Sequence, residues 1–362
     1  MARPRFFILF LQTLIALGTL SLPQAIASDD SCSRKILEEL PHNPLQKIPV
    51  YEQGQLGDCY AHVASELVDY WRLSHGEKLE KSGLTHPLYA AYLTKASALY
   101  SLIHGKSMDG GTPYYAISAL REKGLCKESV VNASLASFKK DPAMTDRKVI
   151  AIIQWVMADV PNRWNDLMFQ HSVADPGAPY CHGYDGVFRP EAIERLMPYF
   201  SAHDLGGAFG ELFKECRKSE NRVPINVPEP RDWMIKNQTP NADIINELNA
   251  LLDEKNPQPI GVGFCSDLFN HAPGFRGAEN SIVGYRSLPA SCGPHSALVT
   301  GRRSVNGKCQ FLVRNSWGNY CNGMTLPCEW KSKKRLLGTW VDAEDLAANT
   351  AMVTTLPAQQ GK

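Results

Sequence analysis

The chain is short of several things that would each have pointed to a function. It has almost no net charge, 38 Lys and Arg against 37 Asp and Glu. No basic surface for nucleic acid or anionic lipid is therefore implied. There is no Cys-x-x-Cys pair, and the adjacent Cys181-His182 lacks the usual chelating spacing, so no metal site or cofactor is expected. Internal repeats and low-complexity tracts are absent. After the first residues no apolar run approaches membrane-spanning length.

What is present begins with a leader. "MARPRFFILFLQTLIALGTLSLPQAIAS" carries two arginines, an apolar run from Phe6 to Leu22 and the small-x-small triplet Ala25-Ile26-Ala27. This reads as a secretory signal peptide over residues 1–27, and the expected destination is secreted or periplasmic. An uncleaved membrane anchor is the alternative reading. Without the leader, 36 basic and 37 acidic residues remain, and no membrane partner is expected. All ten cysteines lie after the leader, where an oxidising compartment would pair most of them. If one of them is a working thiol, nine are left and one more must stay free. Cys265, in the apolar run "IGVGFC", is the expected one, because a buried thiol behaves as a small hydrophobe.

Apolar periodicity divides the chain. Val63, Leu67, Val68 and Trp71 recur at helical spacing, with Glu66, Asp69 and Arg72 between them, so Cys59 is expected at a helix N-terminus. Two more helical stretches follow, "PLYAAYLTKASALYSLIHG" and "YYAISALREKG", the second after the Asp109-Gly110-Gly111-Thr112-Pro113 turn. Residues 28–126 are thus expected to be a helical lobe, and 127–235 an insertion of uncertain fold. After the helix "ADIINELNALLDEKN" come short apolar runs, "PIGVGFC", "SALVTGRR", "CQFLVRNSW" and "GTWVDAEDL". These predict an antiparallel, β-rich lobe over 236–350, followed by a tail over 351–362. Helices first and strands second predict an α+β fold of two lobes with a cleft between them.

Within "QGQLGDCYAH", Cys59 has three possible fates: nucleophile, half of a disulfide, or metal ligand. A thiol attacks only as thiolate, and a helix N-terminus with a nearby imidazolium favours that form. His295 in "CGPHSALVTG" begins a predicted strand and could supply the imidazole; Asn315 in "LVRNSWGN" ends another and could orient it. Plain alternatives stand beside each role: a structural histidine, a strand-end asparagine, a core tryptophan at Trp317, and a mere turn at Gly110-Gly111. His62 is a rival base, but three residues along the helix from Cys59 it points along the lobe, and it is read as structural.

"IPVYEQGQLGDCY", "DGGTP", "GPHSALVTG" and "FLVRNSWGN", in that order, resemble the papain-like cysteine peptidase superfamily. The Leu56-Gly57-Asp58-Cys59 wording is closer to the calpain branch, and Asn315-Ser316-Trp317-Gly318 to the papain branch. The resemblance implies a papain-like two-lobed fold, with the nucleophile on the helical left lobe and His and Asn on the β-rich right lobe. It implies a cysteine-type peptidase, a thiol hydrolase acting on peptide or protein substrates through an acyl-enzyme at Cys59. His295 would be general base and acid, Asn315 its orienter, and Trp317 the cover over their contact. Gln53 would join the backbone N–H of Cys59 in an oxyanion hole, with Gln55 a nearer rival. Gly110 and Gly111 would line the substrate cleft.

Departures from the family pattern carry information too. Leu56 and Met108 stand where many relatives have a disulfide, so an apolar contact is expected between them. Cys59 and His295 are 236 positions apart, against roughly 130–150 in typical relatives, which places about 90 to 100 extra residues mainly in 127–235. About 20 residues separate Ser28 from the first motif, too few for the inhibitory pro-region common in secreted relatives. Neither an EF-hand loop nor a calpain accessory domain is expected after the sheet within these 362 residues. Rival functions are a cell-wall amidase, a transglutaminase-like thiol enzyme, and a non-catalytic peptide-binding module of the same fold.

Overall fold

The computed structural model describes residues 32–54, 56–79, 83–97, 106–158, 187–321 and 324–357. The leader, Gln55, Cys181 and His182 lie outside the described residues. Ten α-helices are described: α1 Cys59–Ser74, α2 Pro87–Ala96, α3 Pro113–Lys123, α4 Glu128–Ala136, α5 Asp146–Ala158, α6 Pro190–Ser201, α7 Leu205–Leu212, α8 Asn241–Asp253, α9 Leu268–His271 and α10 Ala343–Asn349. The strands are β1 Lys35–Ile36, β2 Leu125–Cys126, β3 Arg222–Val223, β4 Arg231–Met234, β5 Ile260–Cys265, β6 Glu279–Asn280, β7 Arg286–Ser287, β8 Pro294–Val305, β9 Lys308–Arg314, β10 Cys328–Ser332, β11 Arg335–Asp342 and β12 Thr350–Thr355.

The α+β division is realised as two cores that meet along α1. Helices α1 to α7 bury Leu67, Trp71, Leu88, Ile150, Phe188 and Phe209 in one apolar cluster, and the large sheet buries Ile260, Val262, Phe264, Phe311, Val313 and Leu346 in another. That sheet runs β10-β11-β9-β8-β5-β12-β4, with β1 added to β8, and all of its pairings are antiparallel. β8 and β9 are joined by Asn306-Gly307, both at positive φ (52° and 75°), the two-residue turn whose twist matches the flanking strands. "GTWVDAEDL" is only half strand: Asp342 caps α10 by accepting the Glu344 N–H, so the run turns helical there.

The described part of residues 127–235 is mainly helical and contributes to the first core, with α4 to α7 adding their apolar residues to those of α1 to α3. β1 and β4 show that chain order and lobe order are not the same. One precedes Cys59 in the chain and the other falls within residues 127–235, yet both join the large sheet.

Four disulfides close the described part: Cys32–Cys309, Cys126–Cys216, Cys265–Cys292 and Cys321–Cys328. The expectation that Cys265 is a free thiol is therefore corrected. Antiparallel pairing sets Cys265 opposite Pro294, and the turn before β8 brings Cys292 back to a Cα separation of 5.2 Å. Among the described residues the free cysteine is Cys59. No described helix is long and apolar enough to cross a membrane.

Candidate functional site

Cys59 is the first residue of α1, a helix buried continuously from Cys59 to Arg72. The charged residues interleaved in its apolar pattern are buried as well, each against a partner. Glu66 meets Arg314, and Asp69 accepts from the Thr85 N–H and hydroxyl and faces Arg72. Such a helix has no solvent face to move on, so its N-terminus is fixed by both cores.

β8 brings the second group. His295 pairs across the sheet with Phe264, and its neighbour Ser296 offers backbone and side-chain hydrogens to the Cys59 thiol. Asn315 follows the last residue of β9, and its Oδ1 lies 2.7 Å from His295 Nε2 and accepts the Ser316 N–H at 2.7 Å. The second contact matters because a backbone N–H can only donate. The amide oxygen must face this way, so His295 Nε2 carries the proton and Nδ1 keeps its lone pair. Trp317 lies 5.0 Å from His295 between ring centroids, with Phe264 at 5.7 Å, and Phe269 stands edge-on to both Trp317 and Phe264. Cys59, His295 and Asn315 are 7%, 6% and 7% exposed.

Burial sets the resting protonation. It pushes the Cys59 thiol up to about 12, against the lowering effect of the Ser296 N–H, and it takes His295 down to about 4, against the Asn315 hydrogen bond. Burial thus favours the neutral form of both the thiol and the imidazole.

Gln53 is buried and tightly held. Its backbone N–H donates to Ser316 O at 2.7 Å, its Oε1 accepts from the Ser316 hydroxyl at 2.5 Å, and its Nε2 donates to Leu56 O at 2.7 Å. One Nε2 hydrogen is thus directed at that carbonyl. Gln55, the rival donor, lies outside the described residues.

The glycine turn abuts the loop that leads into Cys59. Gly110 N–H donates to Gly57 O at 2.9 Å, and Gly57 N–H donates to Asp109 Oδ1 at 2.6 Å. A Cβ on Gly111 would come within 2.6 Å of the Tyr60 ring, so close approach to α1 explains this glycine without any substrate. Leu56 and Met108 are both buried in the first core, and these hydrogen bonds join the residues next to them.

Three contributors escaped sequence reasoning. Ser316 bridges Gln53 to the Asn315 turn across 263 positions. Gln154 on α5 accepts the Met108 N–H at 2.8 Å and donates to Asp109 Oδ2 at 2.9 Å. Arg147, also on α5, donates through Nε to Glu52 O at 2.5 Å. Only Ser316 carried a signal, as part of the motif with Asn315 and Trp317. A cavity of about 790 Å³ opens beside this loop, lined by Glu52, Gly54, Leu56, His86, Arg147 and Trp155 among others; Cys59, His295 and Asn315 do not line it. His62 is fully buried against Arg147 and Tyr51. No described cluster of His, Cys, Asp and Glu could hold a metal ion.

No family model and no curated protein matches the chain. Among solved structures it is similar to xylellain, a cysteine protease from Xylella fastidiosa, at 15% identity over 86% of this chain and 84% of that one, with a TM-score of 0.44. It is also similar to digestive procathepsin L 3 of the Tenebrio molitor larval midgut, at 14% identity over 91% and 76% of the two chains, TM-score 0.40. Procathepsin L2 from the same tissue gives 13% identity over 90% and 68%, TM-score 0.41. Likenesses of that grade transfer no residue role.

Proposed function

We propose that this chain is an exported, papain-like cysteine peptidase that hydrolyses peptide bonds through a thioester on Cys59. The observation that carries the reading is the buried His295–Asn315 contact, with its tautomer fixed by Ser316, on a strand whose next residue reaches the Cys59 thiol. Four disulfides among the described residues support an oxidising compartment.

The chemistry follows from the proton inventory. The Cys59 sulfur attacks the substrate carbonyl carbon while its proton passes to His295 Nδ1. The resulting oxyanion lies toward the Cys59 backbone N–H and the remaining Nε2 hydrogen of Gln53, donors worth roughly 3 to 4 kcal/mol in the transition state. His295 then gives the proton to the leaving nitrogen as the C–N bond breaks and the thioester forms. Water attacks the thioester, losing its proton through the same imidazole, and the acid and free thiol are released. Trp317 keeps bulk water from the His295–Asn315 hydrogen bond, so Asn315 holds the ring throughout.

The test is a digest of peptide libraries, peptidoglycan and amine-acceptor mixtures by the protein and its Cys59→Ala variant. Peptide cleavage lost in the variant, together with an acyl adduct on Cys59 by mass spectrometry, is the expected result. Cleavage surviving in the variant overturns the mechanism. Preference for peptidoglycan or for amine transfer reassigns the substrate class.

A further inference from the structure

The Cys59 helix ends in a buried charge that the chemistry above does not use. Asp58 has no solvent exposure, and neither carboxylate oxygen accepts a hydrogen bond. An unpaired carboxylate in such a place is costly, so its neighbours matter. On its own helix His62 Nε2 lies 3.5 Å away; from α5, Arg147 Nη2 lies 3.7 Å away. The same Nη2 is 2.5 Å from His62 Nε2. A guanidinium can only donate, so Nε2 accepts and His62 is the neutral, Nδ1-protonated tautomer. Arg147 is then the cation nearest Asp58.

Arg147 also holds a second segment, through its Nε bond to the Glu52 carbonyl. Glu52 directly precedes Gln53, and Asp58 directly precedes Cys59. One side chain therefore touches the residue before each donor of the oxyanion hole, and it comes from the inserted stretch. Other groups shape this field: Asp146 beside Arg147 and paired with Lys139, Glu52 and Tyr51 around the guanidinium, and His86 at the start of α2. Asp58 and Cys59 interact directly, the carboxylate disfavouring thiolate, and across the cleft His295 feels His62.

We propose that Arg147 is a positioning residue of this enzyme, clamping the Gln53 and Cys59 arms of the oxyanion hole together and cancelling the Asp58 charge beside the nucleophile. The inference rests on the peptidase reading above. It gives the insertion a task in the chemistry, because removing α5 removes the clamp. It also accounts for a buried aspartate next to a thiol that must ionise.

The experiment compares Arg147→Met, Arg147→Lys and the double variant Arg147→Met with Asp58→Asn, all checked for folding by circular dichroism. Peptide hydrolysis and Cys59 alkylation by iodoacetamide, mapped to that residue, are read across pH. Arg147→Met should lose about 10- to 100-fold in kcat with KM little changed, as a misplaced oxyanion donor does. Its Cys59 alkylation should slow about tenfold at a fixed alkaline pH, the effect of a nearby like charge left uncompensated. Arg147→Lys should restore alkylation but not kcat, since a point charge lacks the fork that reaches both segments. The double variant removes the buried charge, so it folds even where the single one does not; its alkylation should return to the original rate while kcat stays low. Unchanged kcat in the double variant overturns the clamp, and unchanged alkylation in a folded Arg147→Met overturns the charge role. The unaltered protein and Cys59→Ala, run alongside, separate these outcomes from failure of the peptidase reading: that failure shows as no peptide cleavage by the first or as cleavage surviving in the second.

Discussion

Asn315 gives one oxygen to two donors, and that economy fixes the imidazole proton on Nε2 and leaves Nδ1 with its lone pair. The arrangement leaves His295 Nδ1 able to accept a proton, while burial favours the neutral form of both groups. Thiolate is then scarce at neutral pH and grows about tenfold with each unit of pH below the thiol's pKa. In the free protein, alkylation of Cys59 should rise steadily from pH 6 through about pH 10, with no plateau. A plateau beginning in the acid range would mean a resting ion pair and overturn the neutral one. Residues such as Cys59, His295, Asn315 and Trp317 stood out in the sequence because each sits in a short motif beside a helix start or strand end. Arg147 and Gln154 did not, because their partners are 45 to 95 positions away and nothing local marks them.

At the scale of elements, β8 is the part that must not move, since it carries His295 at one end and takes β5, β9 and β1 as neighbours. The Cys265–Cys292 bond ties the end of β5 to the turn that launches it. Closing that loop of 27 positions restricts the unfolded chain by about 3 to 4 kcal/mol in the chain-entropy view. Replacing both cysteines by serine should lower unfolding stability by about that amount and reduce turnover through a looser His295. Chemical denaturation and steady-state kinetics measure the two effects, and an unchanged denaturation midpoint would sink the first. The strands themselves were legible from short apolar runs between Gly, Pro and Asn. Cys265 was misread because "IGVGFC" looks the same whether its last sulfur is a thiol or a half-cystine; only the register with β8 supplies the partner.

Across the whole molecule, the two cores could be read from the switch of periodicity, but the way they lock together could not. Glu66 looked like the polar side of an amphipathic helix. Instead it lies buried under the sheet, 2.7 Å from Arg314 Nε, with Glu38 at 3.1 Å from Nη1 and the Ile48 and Pro49 carbonyls on Nη2. Arg314 directly precedes Asn315, and Glu66 lies two turns along α1 from Cys59, so this ion pair joins the strand that orients the imidazole to the helix that carries the thiol. Breaking a buried pair leaves one charge stranded, at a cost of about 3 to 5 kcal/mol. Arg314→Met should therefore lower stability by about that much, because Glu66 is left buried without its partner, and adding Glu66→Leu should recover most of it, because Glu38 keeps Arg335. Activity should not follow stability. The double variant has lost the link that sets helix against strand, so kcat stays well below the original even where the denaturation midpoint returns. Denaturation and kinetics on the same three proteins decide it: activity restored together with stability would mean that Arg314 and Glu66 only hold the lobes together and do not align the cleft.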